Sequence, residues 1–66
     1  MRMRYTALRQ RMAEEFGELR ADTLARDHVL AGLGERTVNQ ALEAGWEPKR
    51  VWTVLCESFG VPGNRR

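Results

Sequence analysis

Asp27, His28 and Cys56 are the residue types of a nucleophilic constellation, in which an imidazole ionises a thiol and a carboxylate orients the imidazole. That chemistry needs a thiol partly exposed beside the ring. The surrounding pattern argues otherwise. His28 and Cys56 fall on apolar helical faces, and Asp27 points elsewhere than His28 on a helix. The spacing therefore predicts a core histidine bonded to a backbone carbonyl and a buried thiol acting as a small hydrophobe. One His and one Cys cannot complete a four-ligand zinc site. Gly32-Leu33-Gly34 hints at a phosphate-cradling loop, but no predicted strand precedes it and the full glycine motif is absent, so it reads as a helix exit. No catalytic residue, metal or cofactor is expected.

Macromolecular contact is the better-supported chemistry, and four residues are its candidates: Arg36, Trp46, Lys49 and Arg50. Arg36 precedes a helix cap, an anion-friendly place, although a surface ion pair with Glu35 or Asp27 is the commoner use of such a residue. Trp46 sits in a turn, where its ring either tucks inward or stands partly exposed beside Lys49 and Arg50 as a protein-contact hot spot. Basic residues also gather at the ends of the chain: Arg2, Arg4, Arg9 and Arg11 before any acid, and Arg65-Arg66 last. Such ends could touch nucleic acid or simply keep a small protein soluble, since the net charge is only +2.

These side chains must be placed by a very small fold. The chain has 66 residues, which predicts one domain with an ordered core at about 6–62 and short basic ends. A chain of that size buries only about 60% of the surface its unfolded form exposes. A pocket of ~300–1,000 Å³ would hollow out such a core, which speaks against an enzyme. No apolar run is long enough to span a bilayer. The N-terminus lacks the apolar stretch of a secretory signal. A single cysteine suits a reducing cytoplasm.

Periodicity and caps predict four short helices. In the first, Thr6 is the expected N-cap, Leu8, Met12 and Phe16 stack at four-residue spacing, and Gly17 stops the helix. The second runs from about Glu18 to Leu30, with Ala21, Leu24, Ala25, His28 and Val29 as its apolar stripe. Asp22 and Arg26 are spaced to pair on its wet side. Ala31 to Arg36 is a loop whose Leu33 plugs the core. Thr37 and Gln40 form a capping box that opens the third helix, Val38 to Ala44, and Gly45 closes it. Pro48 starts the fourth, Pro48 to Phe59, which Gly60 and Pro62 end. Val51, Trp52, Val54, Leu55, Cys56 and Phe59 cover roughly 200° of that helix, marking it as the core element.

The last two helices have a helix-turn-helix-like pattern: Ala41, Gly45 four later, Trp46 in the turn, then Val51 and Val54. A recognition helix, however, presents several side chains to the major groove. This one offers Lys49, Arg50, Thr53 and the repulsive Glu57, and it commits Trp52 to the core. The expected architecture is thus an all-α bundle of four short helices with a helix-turn-helix-like corner. Its function reads as an interaction or regulatory module with a protein partner. Nucleic-acid binding through the basic ends is the alternative.

Ala25-Arg26-Asp27-His28-Val29-Leu30, Leu33-Gly34, Arg36-Thr37-Val38, Ala41-Leu42, Gly45, Pro48-Lys49, Val51-Trp52, Cys56 and Val61-Pro62 together resemble a family of small actinobacterial proteins. It is the domain-of-unknown-function family three-zero-four-six. The resemblance runs from Thr6 to Pro62. It departs from the family pattern in a slightly longer start and in Trp46, where a smaller or polar residue is usual. The resemblance carries over no catalytic or binding residue. It implies an intracellular bacterial protein, often encoded near the recombinase RecA and its regulator RecX, and hence an association with DNA repair.

Overall fold

The computed structural model describes residues 3–66; Arg2, one of the N-terminal arginines, lies outside the described residues. Four α-helices make up the body: α1 (Tyr5–Phe16), α2 (Glu18–Asp27), α3 (Val38–Glu43) and α4 (Pro48–Phe59). Short 3-10 turns at Ala31–Leu33 and Gly63–Arg65 complete it. No strand occurs among the described residues, and no helix there is long and apolar enough to cross a membrane. The expected all-α bundle is what forms.

Helix α4 is the element around which α1, α3 and the 31–33 turn gather, while α2 packs on α1 and α3. Val51, Leu55 and Cys56 are fully buried and Trp52 is only 4% exposed, while Val54 and Phe59 pack partly against the core. Such a wide apolar arc cannot be covered by one neighbour, and α1, α3 and the 31–33 turn all pack on it. Leu33 fills the space between, wholly buried, as the loop pattern predicts. Gly32 lets the loop come that close, because a Cβ there would stand 2.7 Å from Val54 Cγ1.

The caps expected in the second half are present. Gln40 N–H donates to Thr37 Oγ1 at 3.1 Å, and Thr37 N–H donates to Gln40 Oε1 at 2.9 Å. Pro48 occupies the first turn of α4, and Gly60 ends it in the left-handed conformation (φ +66°). Val61 N–H then reaches back to Cys56 O at 2.9 Å and buries its own side chain. Helix α3 is six residues long, one fewer than expected, and is held by burial of Val38, Ala41 and Leu42. Its corner with α4 is closed by Trp46 N–H bonding to Ala41 O.

Three expectations in the first half are corrected. Thr6 does not cap α1: the helix begins at Tyr5, and Arg4 takes the N-cap position without a side-chain bond. A tertiary contact fixes that start, since Tyr5 Oη donates to Leu42 O at 3.3 Å. Helix α2 stops at Asp27 rather than Leu30. His28 and Leu30 turn extended, and Leu30 N–H pairs with Arg36 O at 3.0 Å, closing the loop into an isolated bridge. That departure swings Leu30 into the core and leaves His28 and Val29 exposed, so neither belongs to an apolar stripe. The chain end is also built in. Arg65 grips Glu15 through two hydrogen bonds of 3.0 and 3.1 Å, and Arg66 Nε donates to Val61 O at 2.9 Å.

The indole N–H of Trp52 is buried with no acceptor among the described residues. Truncation of this side chain therefore separates packing from polarity. Trp52→Ala should cost about 3–5 kcal/mol, against a total stability of roughly 3–10 kcal/mol for so short a chain. Urea titration followed by circular dichroism should show a largely unfolded variant. Trp52→Phe, which keeps a ring and removes the orphaned donor, should lose distinctly less.

Candidate macromolecular contact surface

The catalytic residue types are held in three different settings. Cys56 is fully buried in α4, and that burial pushes its thiol pKa up. His28 is not a core histidine. It lies exposed beyond the end of α2, its ring 5.5 Å from that of Phe59, which in turn meets Phe16 edge-on at 5.4 Å. The Asp27 carboxylate accepts from Arg26 Nε at 3.2 Å, and Arg26 also reaches Asp22 at 3.3 Å, the pair expected from their spacing. No group of three or more candidate metal ligands occurs among the described residues.

Three of the four contact candidates border grooves beside α4, and Arg36 lies apart from them. Trp46 is half-buried: its ring packs on the core yet lines an open cleft of about 400 Å³ with Met3, Tyr5, Leu42 and Pro48. Lys49 borders the next cleft, about 510 Å³, together with Arg4, Gln10 and Arg11. Met3 and Arg4 line both clefts, so Trp46 and Lys49 share one surface. Arg50 faces a different groove, beside Gly32, Thr53, Val54 and Glu57. Arg36 makes neither expected ion pair among the described residues. One of its guanidinium nitrogens donates to the carbonyls of Leu33 and Gly34 at 3.3 and 3.4 Å, which satisfies the exit of the 3-10 turn.

Residues outside the sequence-derived set turn out to matter to this surface. Arg4 and Arg11 flank Lys49, and none of the three cations forms a salt bridge with another described residue. A further cleft of about 620 Å³ continues past Gln10 and Arg11 to Glu14, Glu15, Arg65 and the edge of Trp52. Helical spacing shows that Ala7, Gln10, Arg11 and Glu14 share a face. Only tertiary structure places Lys49, Trp52 and Arg65 opposite them.

The raised thiol pKa and complete burial of Cys56 make its reactivity a gauge of local opening. At neutral pH a disulfide reagent should modify it on the order of tenfold or more slowly than in denaturant. Fast labelling of the native protein would show that α4 is not sealed.

A stretch of 36 residues, 54% of this chain, is 50% identical to a protein of Mycobacterium tuberculosis (strain ATCC 25618 / H37Rv) named "Putative envelope-preserving system protein Rv2742c". The match spans 13% of that relative's length. No solved structure matches the chain. The family described as "Protein of unknown function (DUF3046)" matches residues 3–64, nearly the whole of the described fold, and this chain belongs to it.

Proposed function

We propose that this chain is a small cytoplasmic protein-interaction module with a regulatory role, whose contact surface centres on Trp46 and Lys49. The carrying observation is the half-buried Trp46. It stands in an open cleft with Met3, Tyr5 and Pro48, and Arg4 lies on the rim. Large aromatic anchors within a charged rim are what carry binding energy at protein interfaces. Tyr5 adds to it, being 52% exposed although its hydroxyl is tied to α3.

The charge placement supports the same reading. Lys49 and Arg50 lie in the first turn of α4, whose acid stands just outside it as the N-cap, Glu47. Cations there oppose the helix macrodipole, at a cost of roughly 0.3–1 kcal/mol each. Helix stability does not account for that choice, whereas recognition of an acidic partner does. Arg50 extends the surface around α4, while Arg36 contributes only what its carbonyl bonds leave free.

Nucleic-acid binding is a second reading, supported by Arg4, Arg11 and Lys49, which form no salt bridge among the described residues. The C-terminal arginines add less to it, because Arg65 is engaged by Glu15 and Arg66 by a backbone carbonyl. RecA-linked DNA repair, implied by the family resemblance, or an envelope-preserving system, the role in the relative's name, are settings in which such a module could act.

Affinity capture from native lysate, with and without nuclease, separates the readings. A protein partner should survive nuclease, and Trp46→Ala combined with Arg50→Ala should weaken its capture while circular dichroism stays unchanged. Undiminished capture by that variant would remove the surface. Loss on nuclease treatment, with affinity falling steeply as salt rises, would favour nucleic acid.

A further inference from the structure

We infer that the groove between α1 and α4 is the docking site for a short acidic segment of a partner protein, its carboxylates set against Arg4, Arg11 and Lys49. The inference rests on the interaction-module reading and specifies the chemistry of the partner. Two clefts make up the groove, about 510 and 620 Å³, and they merge through Ala7, Gln10 and Arg11.

Two observations select an anionic occupant. Arg4, Arg11 and Lys49 converge on one end of the groove without a salt bridge to any described residue. Arg4 and Lys49 stand at the N-terminal ends of α1 and α4, each twelve residues long, whose dipoles add positive potential that Glu47 at the α4 N-cap offsets only in part. The adjoining cleft reaches as far as Trp52, only 4% exposed.

The far end decides between an acidic peptide and a nucleic acid. Glu14 and Glu15 line it, and Arg65 neutralises only Glu15. A uniform polyphosphate running along the groove would meet the Glu14 carboxylate. A peptide can place acids at the basic end and a neutral or basic residue against Glu14. Charge complementarity therefore favours the peptide.

The test uses the full chain and a fluorescein-labelled acidic hexapeptide of four glutamates followed by glycine and lysine, read by anisotropy at ~50 mM salt, where the Debye length exceeds 10 Å. A twelve-base-pair duplex and a hexalysine peptide are the comparison probes. The acidic peptide should bind, and Arg11→Glu with Lys49→Glu should weaken it about tenfold or more, since each exposed pair contributes up to a few-fold and reversal adds repulsion. Arg20→Glu with Arg26→Glu changes the net charge equally on exposed α2 positions outside the groove. It should cost less than about twofold at this distance. In a Trp46→Phe background the peptide should also shift Trp52 emission. No binding of the acidic hexapeptide, tighter binding of the duplex, or equal loss from the two charge-reversed variants would each overturn the inference. A partner captured through Trp46 but indifferent to Arg11→Glu with Lys49→Glu would sink the groove alone. Loss of the Trp46 effect would sink the interaction surface instead.

Discussion

Covering the wide apolar arc of one amphipathic helix is the constraint on which most of the structure depends. Helix α4 carries Val51, Trp52, Leu55 and Cys56 inward and Val54 and Phe59 at the margins. A single neighbour cannot cover such a surface, so the chain wraps α1, α3 and the 31–33 turn around it. That requirement explains why Leu30 abandons α2, why Gly32 approaches Val54, and why the C-terminal turn folds back to Glu15. It also exacts a local cost. The Trp52 indole contributes a large apolar surface, but its N–H is left without a partner among the described residues, a loss of about 1–3 kcal/mol against a satisfied donor.

What could be read from the sequence divides along the range of the interactions involved. Thr37 with Gln40, Pro48 and Gly60 act within one turn of their own helix, so residue type and spacing were enough to place both ends of the second half. The apolar arc of α4 was legible for the same reason. The first half depends on distant partners. Tyr5 starts α1 through a bond to Leu42, thirty-seven positions away in sequence, and this displaces Thr6 from the cap. The bridge from Leu30 to Arg36 competes with the last turn of α2 and wins, which exposes His28 and Val29. Neither contact leaves a periodic trace.

The same division runs through the contact surface. Trp46, Lys49 and Arg50 stand out by type and by proximity along the chain, yet proximity in sequence put Arg50 on the opposite flank from Trp46. Arg36 illustrates a different failure. Its position before a capping box suggests an anion site, but the carbonyls released at the end of the 3-10 turn lie nearer than any anion and take the guanidinium. Arg4 and Arg11 were visible as part of a basic end. Their meeting with Lys49 depends on how α1 crosses α4, a property of packing rather than of either helix.

Size then limits where function can reside. The fold has spent its apolar residues on surrounding α4, and its concave features are open grooves between helices. On the proposed interaction reading, selectivity comes from which charges border a groove and from what they do when nothing is bound. Cations at helix N-termini are costly to the free protein because like charge faces like dipole. Arg4, Lys49 and Arg50 all occupy such places, while Arg65, away from any helix N-terminus, is neutralised by Glu15. An anionic partner would relieve that repulsion on arrival, so part of the binding energy is already stored in the unbound fold.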